Sequence, residues 1–217
     1  MNQFLLKIRE NKKATLFLTI VIGVFAFDYF YRMTDKNYAV RASFFMEKGY
    51  YDKARSYYLK ALRQNPEDNN AHFGLGWVHQ LKNEMPDAQR EYGYAIKSAE
   101  IVLTSSLYNL AVIAQNQGDL VKASEFYERL LTIKPNSANA LHNYGMVLRQ
   151  KGELEKSLAH FQKADQLNPN SFYTLFFAAQ VSEQLHRIPQ AANYYEQALR
   201  VNPASIEAKE KVKTLKH

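Results

Sequence analysis

Apolar residues recur along most of this chain with a helical period, in short runs broken by glycine or proline. In residues 138–171, ANALHNYGMVLRQKGELEKSLAHFQKADQLNPNS, one face of a first helix carries Leu141, Tyr144, Gly145 and Leu148. A second helix carries Ser157, Phe161 and Ala164. Gly152 separates the two, and Pro169 ends the unit. Such a pair of short helices cannot bury its apolar faces alone and needs copies of itself on both sides.

The copies are present. Pro135, Pro169 and Pro203 are 34 residues apart, and Pro66 lies 69 residues before Pro135, two periods plus one residue. A second ladder pairs a small residue with an aromatic four positions on: Ala54/Tyr58, Ala88/Tyr92, Ala123/Tyr127, Ser157/Phe161 and Ala191/Tyr195. Three positions later come Ala61, Ala95, Leu130, Ala164 and Ala198. Positions i, i+4 and i+7 share a helical face, so small residues allow close approach and the aromatic between them fills the junction. The expected units are 35–68, 69–103, 104–137, 138–171 and 172–205. The first helix of each (helix A) turns into the second (helix B) at Gly49, Asn83, Gly118, Gly152 and His186, where a left-handed residue ends a helix. Pro86 and Pro189 fall at the start of helix B, where a missing N–H is tolerated.

This period and this small-aromatic-proline signature resemble the tetratricopeptide repeat family over residues 35–203. The resemblance implies an all-α right-handed superhelix of five helix pairs, with each helix A lining a concave groove that binds other proteins. Carried onto this chain, it makes Phe73, Trp77, Tyr108, Asn109, Gln115, Asn139, His142, Asn143, Met146, Arg149, Phe176 and Gln180 candidate partner-binding residues. Asn109 and Asn143 share one repeat position, and their amides suit a peptide backbone. Trp77 and the aromatics offer rigid surface to a partner's side chains. The lysine cluster with which some members clamp a C-terminal carboxylate is absent: its positions hold Ala39, Ser43 and Val112.

Two stretches depart from the repeat. The second unit has Glu100 in place of proline, so its helix B is expected to continue through Ile101 and Leu103. Residues 206–217, with Ile206, Val212 and Leu215 among charges, read as the capping helix that repeat arrays need.

The N-terminus belongs to no repeat. Residues 14–31, ATLFLTIVIGVFAFDYFY, hold no charge before Asp28 and end in an aromatic belt. Eighteen residues reach about 27 Å, the short end of a membrane span. Lys7, Arg9, Lys12 and Lys13 precede the run, while Arg32, Lys36 and Arg41 follow it. The expected arrangement is a short basic cytoplasmic segment (1–13), an uncleaved signal anchor in the inner (plasma) membrane, and the repeats outside the cytoplasm. A signal peptide cut after Ala26 and a buried helix are the alternatives.

Charge and composition narrow the function. Of the net charge of +7, residues 1–34 contribute +3, leaving +4 over the repeats, a mild bias and no nucleic-acid signature. The chain has no cysteine, hence no disulfide, thiolate nucleophile or cysteine-based metal site. The six histidines are scattered, and His72 and His79 fall at packing positions. No catalytic, cofactor or metal site is expected. The sequence therefore predicts a membrane-anchored adaptor that binds an extended segment or helix of a partner protein. The alternative is a self-associating scaffold on the membrane. Bacterial proteins of similar layout assist envelope assembly, secretion or maturation.

Overall fold

The computed structural model describes residues 37–96 and 100–215, all of them in helices and their connections. The helices are α1 (Tyr38–Glu47), α2 (Tyr51–Gln64), α3 (Asn69–Leu81), α4 (Met85–Ala95), α5 (Glu100–Asn116), α6 (Leu120–Ile133), α7 (Ala138–Gln150), α8 (Leu154–Leu167), α9 (Phe172–Gln184), α10 (Ile188–Val201) and α11 (Ile206–Leu215). They form two compact units that divide after Ala88, inside α4. The expected membrane segment, residues 14–31, lies outside the described residues. Among the described residues no helix is long and apolar enough to cross a membrane.

Within each unit the packing follows the small-aromatic-small ladder. All fifteen ladder residues, from Ala54, Tyr58 and Ala61 to Ala191, Tyr195 and Ala198, are at most 5% exposed. The spacing holds the ring against the partner helix because its neighbours at i−4 and i+3 are too small to keep that helix away. The approach is close enough to dictate glycine. A Cβ on Gly145 would stand 2.9 Å from Phe161 Cε1. The Ser157 hydroxyl donates to the Gly145 carbonyl at 2.7 Å. In the first unit, α1 also meets α3; in the second, α5 meets α7 and α7 meets α9. Helices A of neighbouring repeats therefore come together, as the groove position requires.

The turns from A to B obey one rule in all five repeats. Gly49, Asn83, Gly118, Gly152 and His186 all have positive φ, between 57° and 79°. Each is followed by an N–H that bonds back to a carbonyl five residues earlier, as from Glu84 to His79 at 2.9 Å and Arg187 to Ser182 at 2.8 Å. These bonds satisfy the carbonyls at the end of helix A.

Two expectations change. Helix B of the second repeat does not run through Ile101 and Leu103: α4 ends at Ala95, and both residues belong to α5. With no proline at position 100, it is the next helix A that gains a turn at its N-terminal end. α5 has 17 residues against 13 in α3, α7 and α9. The capping helix forms, but Ile206 is 72% exposed. Ala208, Val212 and Leu215 make the contact with the last repeat.

Because a side chain at positive φ costs about 1 kcal/mol or more, the five turns allow opposite tests. Nothing lies within 4 Å of a Cβ added at Gly152, so Gly152→Ala isolates the backbone cost. It is expected to lower unfolding free energy by about 1 kcal/mol. His186→Gly is expected to raise it by a similar amount, both read from urea unfolding of the two variants.

Candidate functional site

A broad concavity lies in the first unit. It is a cleft of about 600 Å³ between α1 and α3, with Tyr51 and Tyr58 of α2, lined among others by Val40, Ser43, Met46, Phe73, Gly74, Trp77 and Leu81. Helices α1 and α3 supply most of the wall because their exposed edges repeat at the spacing of one turn. Four large apolar side chains of the lining stand substantially in solvent: Val40 (36%), Tyr51 (39%), Trp77 (48%) and Leu81 (48%). The charged residues of the lining are Glu47 and Asp68, and no lysine or arginine joins them. Asp68 caps α3, its carboxylate accepting from Ala71 N–H at 3.1 Å.

One repeat position decides why the cleft is here. The sixth residue of the repeat, on helix A, faces the ladder aromatic of the preceding repeat. In the second unit, Asn109 donates to the Tyr92 hydroxyl, which burial otherwise pushes up in pKa. Asn143 stands in the same relation to Tyr127, and its Nδ2 donates to Tyr108 Oη at 2.8 Å. Phe177 stacks on Phe161, with ring centroids 6.3 Å apart. Tyrosine is thus matched by asparagine and phenylalanine by phenylalanine. In the first unit the residue facing Tyr58 is Gly74, and any Cβ there would collide with the Tyr58 ring. The ring takes the space, and its hydroxyl lies 3.3 Å from Ser43 Oγ at the cleft wall. With no side chain at position 74, the cleft stays wide.

The candidate residues divide accordingly. Phe73 and Trp77 line the large cleft. Asn139 and His142 line a small one of about 140 Å³ in the second unit, with Thr174 and Tyr173. The His142 ring is lowered in pKa by burial. Its Nδ1 lies 2.9 Å from Thr174 Oγ1. The Thr174 hydroxyl in turn lies 3.0 Å from Ser171 Oγ. Asn109, Asn143 and Tyr108 are held by the inter-repeat bonds just described. Gln115 accepts from the Tyr127 hydroxyl at 3.5 Å. Arg149 donates to Gln180 at 2.6 Å and lies over the Phe177 ring. Gln180 also reaches Glu207 at 3.4 Å. Met146 packs on the Phe161 cluster.

Phe176 requires a correction. It is 7% exposed and sits in the core of the last repeat with Tyr195 and Ala208. The capping helix completes that core, so a groove position in the repeat register becomes an interior one. Val40, Met46 and Leu81, outside the candidate set, also line the cleft. Their repeat positions were the available signal.

Two family models, each described as Tetratricopeptide repeat, match residues 41–100 and 103–164, together more than half of the chain. No curated protein matches the chain by sequence. Solved structures do resemble it. The crystal structure of YrrB, a TPR protein with an unusual peptide-binding site, aligns at 19% identity and a TM-score of 0.72, over 81% of this chain and 90% of that one. A crystal structure of MamA aligns at 19% identity and 0.66, over 82% and 92%. PilF of Pseudomonas aeruginosa aligns at 20% identity and 0.63, over 82% and 86%. Identities this low carry the fold and nothing further. With the family models, the 34-residue period and the helix pairs in agreement, this chain belongs to the tetratricopeptide repeat family.

Proposed function

We propose that the protein is an adaptor that captures an apolar segment of a partner protein in the cleft of its first two repeats. The observation that carries this reading is the cluster of exposed apolar side chains around Trp77, in a cleft that Gly74 keeps wide. Apolar surface concentrated in this way marks interaction sites, and tryptophan is a frequent anchor of binding energy. The absence of lysine and arginine from the lining argues against a partner's terminal carboxylate as the anchored group. The peptide-binding site named for YrrB is consistent with this use of the fold. A role in envelope assembly, secretion or maturation, with residues 14–31 as a signal anchor and the repeats outside the cytoplasm, completes the proposal. The apolar run before Asp28 supports it. Self-association is the second reading, since a second copy could supply the apolar segment.

A photoreactive amino acid at Leu81, on the cleft wall, is expected to crosslink a partner in intact cells. Trp77→Ala should reduce the yield about tenfold or more with helicity unchanged by circular dichroism. Undiminished crosslinking would contradict the cleft as the site, and recovery of the chain's own peptides would identify self-association.

Topology has a separate test. The chain lacks cysteine and Ser56 is exposed on α2. Ser56→Cys is expected to react with a membrane-impermeant maleimide in intact cells whose outer layers admit it. Reaction only after the inner membrane is broken would put the repeats in the cytoplasm.

A further inference from the structure

His79 breaks the repeat pattern at the end of α3. The equivalent residues of the other repeats are Phe45, Ala114, Leu148 and Ser182, so an imidazole is not what packing requires there. The ring is 4% exposed, and its Nδ1 is hydrogen-bonded to Glu84 Oε2 at 2.5 Å. Glu84 immediately precedes α4, and the left-handed turn at Asn83 fixes it, its N–H donating to the His79 carbonyl at 2.9 Å.

The position three residues further on is the informative one. In repeats three and four the acid before helix B pairs with a lysine three residues on: Asp119 with Lys122 at 2.8 Å, and Glu153 with Lys156 at 2.7 Å. In repeat two the residue in the lysine's place is Asp87. One ligand atom from each of His79, Glu84 and Asp87 lies within 4.8 Å of the others. Arg55, 40% exposed, lies 3.9 Å from Glu84. Where two sibling repeats place a lysine three residues after the acid, this one places a second acid, beside a buried imidazole.

We propose that His79, Glu84 and Asp87 form a site for a divalent transition cation of the zinc type. One imidazole nitrogen and two carboxylate oxygens suit such an ion, whereas an imidazole does not suit calcium or magnesium. Bonds of about 2.0–2.2 Å separate neighbouring ligand atoms by roughly 3–3.5 Å. The His79–Glu84 pair therefore opens slightly and Asp87 closes in, movements that the partly exposed carboxylates can make. Three protein ligands leave a fourth position for water or a partner's side chain. The ion fastens the end of α3 to the start of α4, two residues from Trp77, and so stiffens the wall that bears it. This site is independent of the adaptor reading.

The purified full chain, titrated with Co²⁺ and followed by visible absorption and calorimetry, tests it. One equivalent is expected to bind, with Zn²⁺ displacing it and raising the thermal midpoint. Asp87→Lys installs the residue that repeats three and four carry, so its fold is expected to persist. His79→Leu installs the residue of repeat four. Each is expected to weaken binding about tenfold or more. Absence of saturable binding by the unsubstituted chain up to roughly 1 mM, or binding that either substitution leaves unchanged, overturns the proposal.

Discussion

The structure depends on one contact: the ladder aromatic of helix B, flanked by two small residues of its own helix and pressed against the helix A of its own repeat and the next. Tyr92, Tyr127, Phe161 and Tyr195 are all fully buried. A large ring gains most when it loses all its water, and it can do so here only because a residue such as Gly145 lets the backbone come within reach of it. Every other regularity follows from that contact. The 34-residue period spaces the rings, and the left-handed turn brings helix B back across helix A.

The same contact sets where the surface is available for function. A buried tyrosine brings a hydroxyl with it, and a hydroxyl out of water needs a partner. Asn109 faces the Tyr92 hydroxyl and Asn143 that of Tyr127, while the Tyr127 hydroxyl also donates to Gln115, so these amides turn toward the junction between repeats. Phe161 has no hydroxyl, and the residue facing it is Phe177. Gly74 answers Tyr58 by giving way, and the result is the cleft around Trp77 rather than a filled junction. Structure and candidate function are thus two outcomes at one repeat position.

How much of this is legible in the sequence depends on whether the signal is local. The ladder and the five turns are local, so Asn83 and His186 could be placed beside three glycines from spacing alone. The cleft lining is nearly so, because the repeat register marks Val40, Ser43, Met46, Gly74, Trp77 and Leu81 together. The bonds that Asn109 and Asn143 make are hidden for a different reason. A polar residue at a groove position looks available until its neighbour's hydroxyl, 16 or more residues away, is seen to need it. Phe176 is hidden likewise by α11, and the triad of His79, Glu84 and Asp87 emerges only when the turn folds its members together.

The central claim is that the cleft beside Gly74 receives the partner, and Trp77, the only tryptophan of the chain, reports on it directly. Its emission, followed while a crosslink-identified partner segment is titrated into the purified protein, should shift to the blue and lose sensitivity to acrylamide as its half-exposed ring is covered. Saturable binding of that segment with Trp77 emission and quenching unchanged would contradict the account.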